Sequence, residues 1–192
     1  MARPAPTPNT PISPHGLAKP PKPMLRLAGQ AIEDFGMIRP GDRLLLGLSG
    51  GKDSLSLLQV LRTLQVKSPI KFDLACATVD PCIDGYDPYY LKDYVQGLGI
   101  PYFYRRQAIV ARALKTMHGD SFCAYCARMR RGILYDIARN EGYNVLVMGQ
   151  HLDDLAESFL MSAFHNGRLG TMKAHYVIDA GDLRVIRPFV YV

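Results

Sequence analysis

The first 23 residues contain no aspartate or glutamate but eight prolines. Such a segment cannot bury enough apolar surface to offset its chain entropy, so residues 1–23 read as a disordered tail. An N-terminus without acids also fits an organelle transit peptide, but this much proline opposes the amphipathic helix such peptides form. No uncharged run reaches the roughly 20 residues of a membrane span, which excludes a chain held in a bilayer by apolar helices. Cysteine is scarce, at four residues (Cys76, Cys82, Cys123 and Cys126), and no secretory signal precedes it. A disulfide framework is thereby set aside, and a reducing compartment, the cytoplasm, is expected. The pair Cys123-Ala124-Tyr125-Cys126 has no second C-x-x-C and no His-x-x-x-His to accompany it, which excludes a complete local zinc site.

What is present fits one globular domain over residues 24–192, with 48% hydrophobic residues in a chain of 192. It ends inside the apolar run Pro188-Phe189-Val190-Tyr191-Val192, an abrupt end that suggests truncation. The net charge is +6, and its placement matters more than its size. Between Arg105 and Arg131 stand seven basic residues against the single acid Asp120, so this segment carries the entire surplus. Lying among Tyr102, Phe103, Tyr104, Phe122 and Tyr125, it suits a polyanion larger than a nucleotide, such as RNA; a solvated basic face is the other reading.

Periodicity predicts helices at 25–35, 54–65, 88–98, 108–117, 124–140 and 152–164, alternating with strands at 43–48, 73–79, 102–105 and 145–148. Two short extended pieces follow within 177–192, joined through Ala180-Gly181-Asp182. The alternation implies an α/β fold, a parallel sheet with helices on both faces reached by right-handed crossovers. Ligands of such sheets sit beyond the carboxyl ends of the strands. The turns at Ser49, after Val79, and at Gly149-Gln150-His151 all fall on that rim.

The first of these turns carries the sharpest signal, Ser49-Gly50-Gly51-Lys52-Asp53-Ser54, between the apolar run Leu44–Leu48 and a helix. Two glycines let backbone N–H groups approach an anion, hydroxyls and a lysine add donors, and the helix start adds positive potential. The Walker pattern is excluded, because Asp53 follows Lys52 and the required upstream glycine is missing. A plain glycine turn with a first-turn acid is the alternative. The run resembles the PP-loop of ATP pyrophosphatases, which cleave ATP between its α and β phosphates.

Cys123 and Cys126 open a helix whose residues Cys126, Met129, Ile133 and Ile137 form one apolar stripe, with Arg128, Arg130 and Arg131 around it. A C-x-x-C here fits a redox pair, half of a metal site, an iron–sulfur site or two plain thiols. Together, Ser49–Ser54, the run Cys123–Tyr135 and Gly149-Gln150-His151-Leu152-Asp153-Asp154 resemble the three signatures of the tRNA 2-thiocytidine synthetase family of PP-loop (adenine nucleotide alpha hydrolase-like) enzymes. The likeness runs from about Leu25 to Val192.

That resemblance implies ATP-dependent thiolation of a cytidine in a tRNA anticodon loop, with Mg²⁺, a [4Fe-4S] cluster, a cysteine desulfurase-type sulfur donor and a homodimer. By position, Ser49, Gly50, Gly51, Lys52, Asp53 and Ser54 would bind ATP, with Gly149 on the same rim; Asp80, after the second strand, reads as lining the adenosine pocket or equally as a turn-forming aspartate. Asp53, Arg130, Asp153 and Asp154 would be catalytic, and Cys123 and Cys126 would be cluster ligands. Arg105, Arg106, Arg128 and Arg131 would bind tRNA. The third cluster cysteine expected after the Arg-Pro-x-x-Tyr stretch is replaced by Val192, leaving Cys76 or Cys82 as the third ligand, or a different cluster, or none. Gln150 stands where the family commonly has histidine. A PP-loop enzyme with a nitrogen nucleophile, or a non-enzymatic RNA- or metal-binding domain, are the competing readings.

Overall fold

The computed structural model describes residues 19–83, 85–116 and 122–192. Helix α1 (Lys22–Asp34) leads to strand β1 (Arg43–Gly47), helix α2 (Lys52–Lys67), strand β2 (Asp73–Asp80), helix α3 (Tyr90–Gly97) and strand β3 (Tyr102–Arg106). Helices α4 (Ile109–Thr116) and α5 (Phe122–Asn140) follow, then β4 (Val145–Val147), α6 (Leu152–Asn166), β5 (His175–Val177) and β6 (Arg184–Ile186). Residues 1–18 of the expected tail, and the predicted helix end at Met117, lie outside the described residues. The tail boundary needs correcting at its inner end. Helix α1 starts at Lys22 with Pro23 in its first turn, where a proline costs nothing because that N–H has no intrahelical acceptor.

The six strands are ordered β3-β2-β1-β4-β6-β5, all parallel to their neighbours except β5, which runs antiparallel to β6 at the edge. Alternate residues of each strand feed opposite layers, as the period of two requires. Leu44, Leu46, Leu74, Cys76, Val145 and Val147 pack under α1, α2 and α3. Leu45, Ala75, Ala77, Val79, Leu146 and Val185 pack against α4 and α5. Both faces are therefore covered. Leu44, Leu45 and Leu46 are fully buried, and each contributes about 2 kcal/mol by leaving water.

Strand order reverses between β1 and β4, the point at which an open α/β sheet leaves a crevice above its carboxyl edge. The opposite edge is fastened by a buried polar knot. Asp42 accepts hydrogen bonds from the Arg39 backbone N–H, from Asn144 Nδ2 and from the Arg184 guanidinium. One buried carboxylate thus ties the entrances of β1, β4 and β6 together, leaving the carboxyl edge free for the site.

Candidate functional site

A cavity of about 330 Å³ opens at the switch point, lined from β1 and its loop by Gly47, Leu48, Ser49, Asp53 and Ser54. The loop is braced by its own hydroxyls. Ser54 Oγ donates to Gly51 O at 3.0 Å and accepts from Ser49 N at 3.2 Å, while Ser49 Oγ accepts from Gly51 N at 3.3 Å. Gly51 is the N-cap of α2 and supplies no side-chain cap, so the first N–H groups of that helix face the crevice with its positive potential.

Gly50 has φ +81°, a conformation that glycine adopts without strain. A Cβ there would come 2.7 Å from the Tyr90 hydroxyl. From the other side of the reversal, Gly149 packs so closely that a Cβ would lie 3.4 Å from Ser54 N and Cα. The second loop is held from below, where the buried Arg187 donates through Nε to Gln150 Oε1 at 3.1 Å. Gln150, where the resemblance implies a histidine, is thus the acceptor for a buried guanidinium.

The third wall is α5. Ala127, Arg130, Arg131 and Leu134 line the cavity, and at helical spacing Cys123 continues the same stripe one turn outward. The stripe predicted through Cys126, Met129, Ile133 and Ile137 packs on the sheet. Cys123 is exposed and Cys126 half-buried, and neither thiol lines the cavity itself. Among the described residues Arg130 Nε is buried without a hydrogen-bond partner, an arrangement that costs free energy unless an anion arrives.

The acidic pair divides. Asp154 lines the cavity and accepts the His151 backbone N–H at 2.9 Å, whereas Asp153 is exposed and does not line it. His151, which the sequence marked only as part of a turn, stands between the carboxylates, Nε2 3.9 Å from Asp53 Oδ1 and Nδ1 3.7 Å from Asp154 Oδ2. Lys52 is exposed, with Nζ 2.7 Å from Asp53 Oδ1. The hydrogen bond and charge of Asp53 hold its ammonium above the ordinary lysine value.

Asp80 does not line this cavity, and of its two readings the turn-forming one is visible in its bond to the backbone two residues on. Its buried carboxylate accepts the Tyr104 hydroxyl at 2.6 Å and the Cys82 N–H at 2.8 Å. Burial pushes its pKa up, but those hydrogen bonds and the Arg106 and Arg130 charges outweigh it and leave it below the ordinary value. The tyrosines after β2 were missed altogether. Tyr86 donates to Ser49 O at 2.9 Å and Tyr90 abuts Gly50, so this segment lies on the phosphate loop. The cluster Tyr86, Tyr89 and Tyr90 was the available signal. Of the predicted RNA contacts, Arg105, Arg106 and Arg128 are exposed, and Arg131 lines the cavity beside Arg130.

Two carboxylates on the cavity wall, Asp53 and Asp154, fit a Mg²⁺ ion that takes its remaining ligands from phosphate and water. Cys123 and Cys126, the two thiols the resemblance assigns to an iron–sulfur cluster, stand together at the start of α5. Among the described residues no group of three or more metal-ligating side chains stands together. Cys76, offered as a third ligand, is fully buried in β2, and burial pushes its thiol up to about 12. We expect a thiol reagent at pH 8 to modify Cys82, Cys123 and Cys126 in the native protein, and Cys76 only after denaturation. The raised pKa also gives a sign. The contribution of the Cys76 thiol is whole below its unfolded value near 9 and is lost as pH rises through about 12. Chemical denaturation between pH 8 and 11 should show stability falling on the alkaline side, less steeply in a Cys76→Ala variant.

A profile of the PP-loop domain matches residues 24–192. The chain is 40% identical over 181 residues to a tRNA-cytidine(32) 2-sulfurtransferase of Stenotrophomonas maltophilia, covering 93% of this chain and 58% of that protein. It is 41% identical over 170 residues to the protein of the same name in Syntrophotalea carbinolica, covering 87% and 65%. The chain thus spans about three fifths of the length of these curated relatives. Among solved structures it is similar to the U34-tRNA thiolase NcsA from Methanococcus maripaludis with its [4Fe-4S] cluster, at TM-score 0.70 and 22% identity, covering 88% of this chain and 58% of that one. This last likeness bears on the fold. Among the described residues no helix is long and apolar enough to cross a membrane.

Proposed function

The chain belongs to the PP-loop domain family, and on that premise we propose that it adenylates the C2 oxygen of a tRNA anticodon-loop cytidine and exchanges that oxygen for sulfur. The relatives named tRNA-cytidine(32) 2-sulfurtransferase favour this substrate. The observation that carries the reading is the cavity itself, where the glycine loop, Asp154 and Arg130 of the cysteine helix, its buried Nε without a hydrogen-bond partner among the described residues, face one space.

Triphosphate lies against the N–H groups of Gly50, Gly51 and the start of α2, with Lys52 beside it. The cytidine C2 oxygen attacks the α-phosphate, and the bond to pyrophosphate breaks. Arg130 donates to the oxygens that gain charge in this step. A sulfur nucleophile then attacks C2, and the oxygen departs within AMP. Mg²⁺ held by Asp53 and Asp154 would neutralise phosphate charge. We assign Cys123, one turn from the cavity, to accept sulfane sulfur from a donor persulfide, its thiolate attacking the outer sulfur and the donor's thiolate leaving. The homodimer, the cysteine desulfurase-type donor and the cytoplasmic setting rest on the family resemblance.

Incubation with ATP, sulfide and unmodified tRNA should yield AMP and pyrophosphate in equal amounts, and 2-thiocytidine in digested tRNA by mass spectrometry. Absence of tRNA-dependent AMP would sink the proposal. Release of AMP from the parent with no 2-thiocytidine formed, and a nitrogen-substituted cytidine in its place when an amine is supplied, would favour a nitrogen nucleophile instead.

A further inference from the structure

Beyond the carboxyl ends of β2 and β3 lies a second cavity, of about 470 Å³, which the chemistry above does not use. Its walls are Tyr86, Tyr89, Tyr104, Arg106, Asp80 and Asp87. Three phenol rings, one guanidinium and two carboxylates make an unusual lining for a surface cleft. Tyr89 and Tyr104 meet edge to face with centroids 5.8 Å apart, and Lys92 Nζ stands 5.3 Å over the Tyr89 ring. Tyr89 is nevertheless half exposed, a large aromatic held in place but uncovered. Tyr86 belongs to both cavities and bonds to Ser49 O, so one ring is the partition between them.

We propose that this cavity receives a second, unpaired base of the RNA, a neighbour of the target nucleotide, stacked on Tyr89 while the target enters the first cavity. The inference rests on the tRNA reading above. The volume suits a nucleoside, and aromatic faces with flanking cations are how proteins hold unstacked bases. Arg106 and Lys92 border the rings and answer the phosphates on either side. Asp80 Oδ1 accepts one protein hydrogen bond and keeps a lone pair, while Oδ2 accepts the Tyr104 hydroxyl and pairs with Arg106 Nε at 3.7 Å; Asp87 Oδ1 accepts the Tyr89 N–H at 2.9 Å. These acceptors favour bases that present exocyclic amines, namely cytosine, adenine or guanine, over uracil. The Tyr86 partition makes the two nucleotides enter side by side.

The test uses synthetic anticodon stem-loops carrying 2-aminopurine at one loop position at a time, with saturating α,β-methylene ATP in the first cavity. At one position beside the target, binding should quench the fluorescence several-fold. Tyr89→Ala should remove most of that quenching and weaken stem-loop binding by about 5- to 100-fold, with ATP-analogue affinity and melting temperature unchanged; Tyr89→Phe should behave like the parent. If stem-loops bind equally to the parent and to Tyr89→Ala, with no position quenched, the second cavity takes no base and the tRNA reading stands. If the analogue displaces the quenched base, that base occupies the first cavity and the inference fails. If no stem-loop binds the parent while the analogue does, the tRNA reading fails and takes this inference with it.

Discussion

An Arg130→Ala variant should release AMP about 100- to 1000-fold more slowly than the parent, the usual consequence of removing one donor from a developing phosphoryl charge. Its guanidinium lines the cavity, and Nε is buried with no hydrogen-bond partner among the described residues. No internal hydrogen bond at Nε is therefore lost on truncation, and the fold should be nearly indifferent. The melting temperature should stay within about 2 °C. The loss should fall chiefly on kcat, with KM for ATP changing much less, because Arg130 meets charge that is largest in the transition state. Arg130→Lys keeps the charge without the planar fork and should recover only part of the rate. The exposed Arg128 on the same helix is the control. Equal losses in Arg128→Ala would show that the basic helix acts by its overall field; an unchanged rate in Arg130→Ala would remove this residue from catalysis.

The sheet was readable because its signal is local. Runs such as Leu44–Leu46 and Leu74–Ala77 are apolar on both faces, as strands covered by helices must be. The helical stripe at Cys126, Met129, Ile133 and Ile137 was equally plain. What escaped depends on partners distant in sequence or on a single turn of geometry. The direction of β5 is one case, since three residues at an edge, His175–Val177, carry no record of antiparallel pairing. The start of α1 is another, because prolines that stop a helix interior are tolerated in its first turn. Asp153 and Asp154 were read as a pair, yet of the two only Asp154 lines the cavity. Asp80 was read for the ATP site, but Tyr104, 24 positions onward, holds its carboxylate on the wall of the second cavity. The tyrosines after β2 were invisible as site residues, since their meaning lies in contacts with Ser49 and Gly50 across the sheet edge.

That contact makes Gly50→Ala the second large effect, and it separates two ways of breaking a phosphate loop. A methyl at Gly50 meets the Tyr90 hydroxyl at 2.7 Å and Leu91 Cδ1 at 3.3 Å, on a backbone at φ +81°. The left-handed conformation alone costs an alanine about 1–2 kcal/mol. Relief requires the loop or Tyr90 to move, and misplacing phosphate donors by about 1 Å is enough to cost roughly 100-fold in rate. AMP release should fall by about that factor, with the melting temperature lowered by a few degrees. Tyr90→Phe in the same chain removes the oxygen that the methyl meets, so the double variant should regain part of the rate while the backbone strain persists. Gly51→Ala tests the other cause. There φ is −73° and the nearest neighbour of a Cβ is Ser49 Oγ at 3.4 Å, ordinary contact without strain. Its stability should match the parent, and any loss of rate would then report a methyl intruding on the bound phosphates. If Gly50→Ala retained full activity, the loop would not be gripping phosphate through the backbone bend at Gly50, and the anion would have to be held by Lys52 and Arg130 alone.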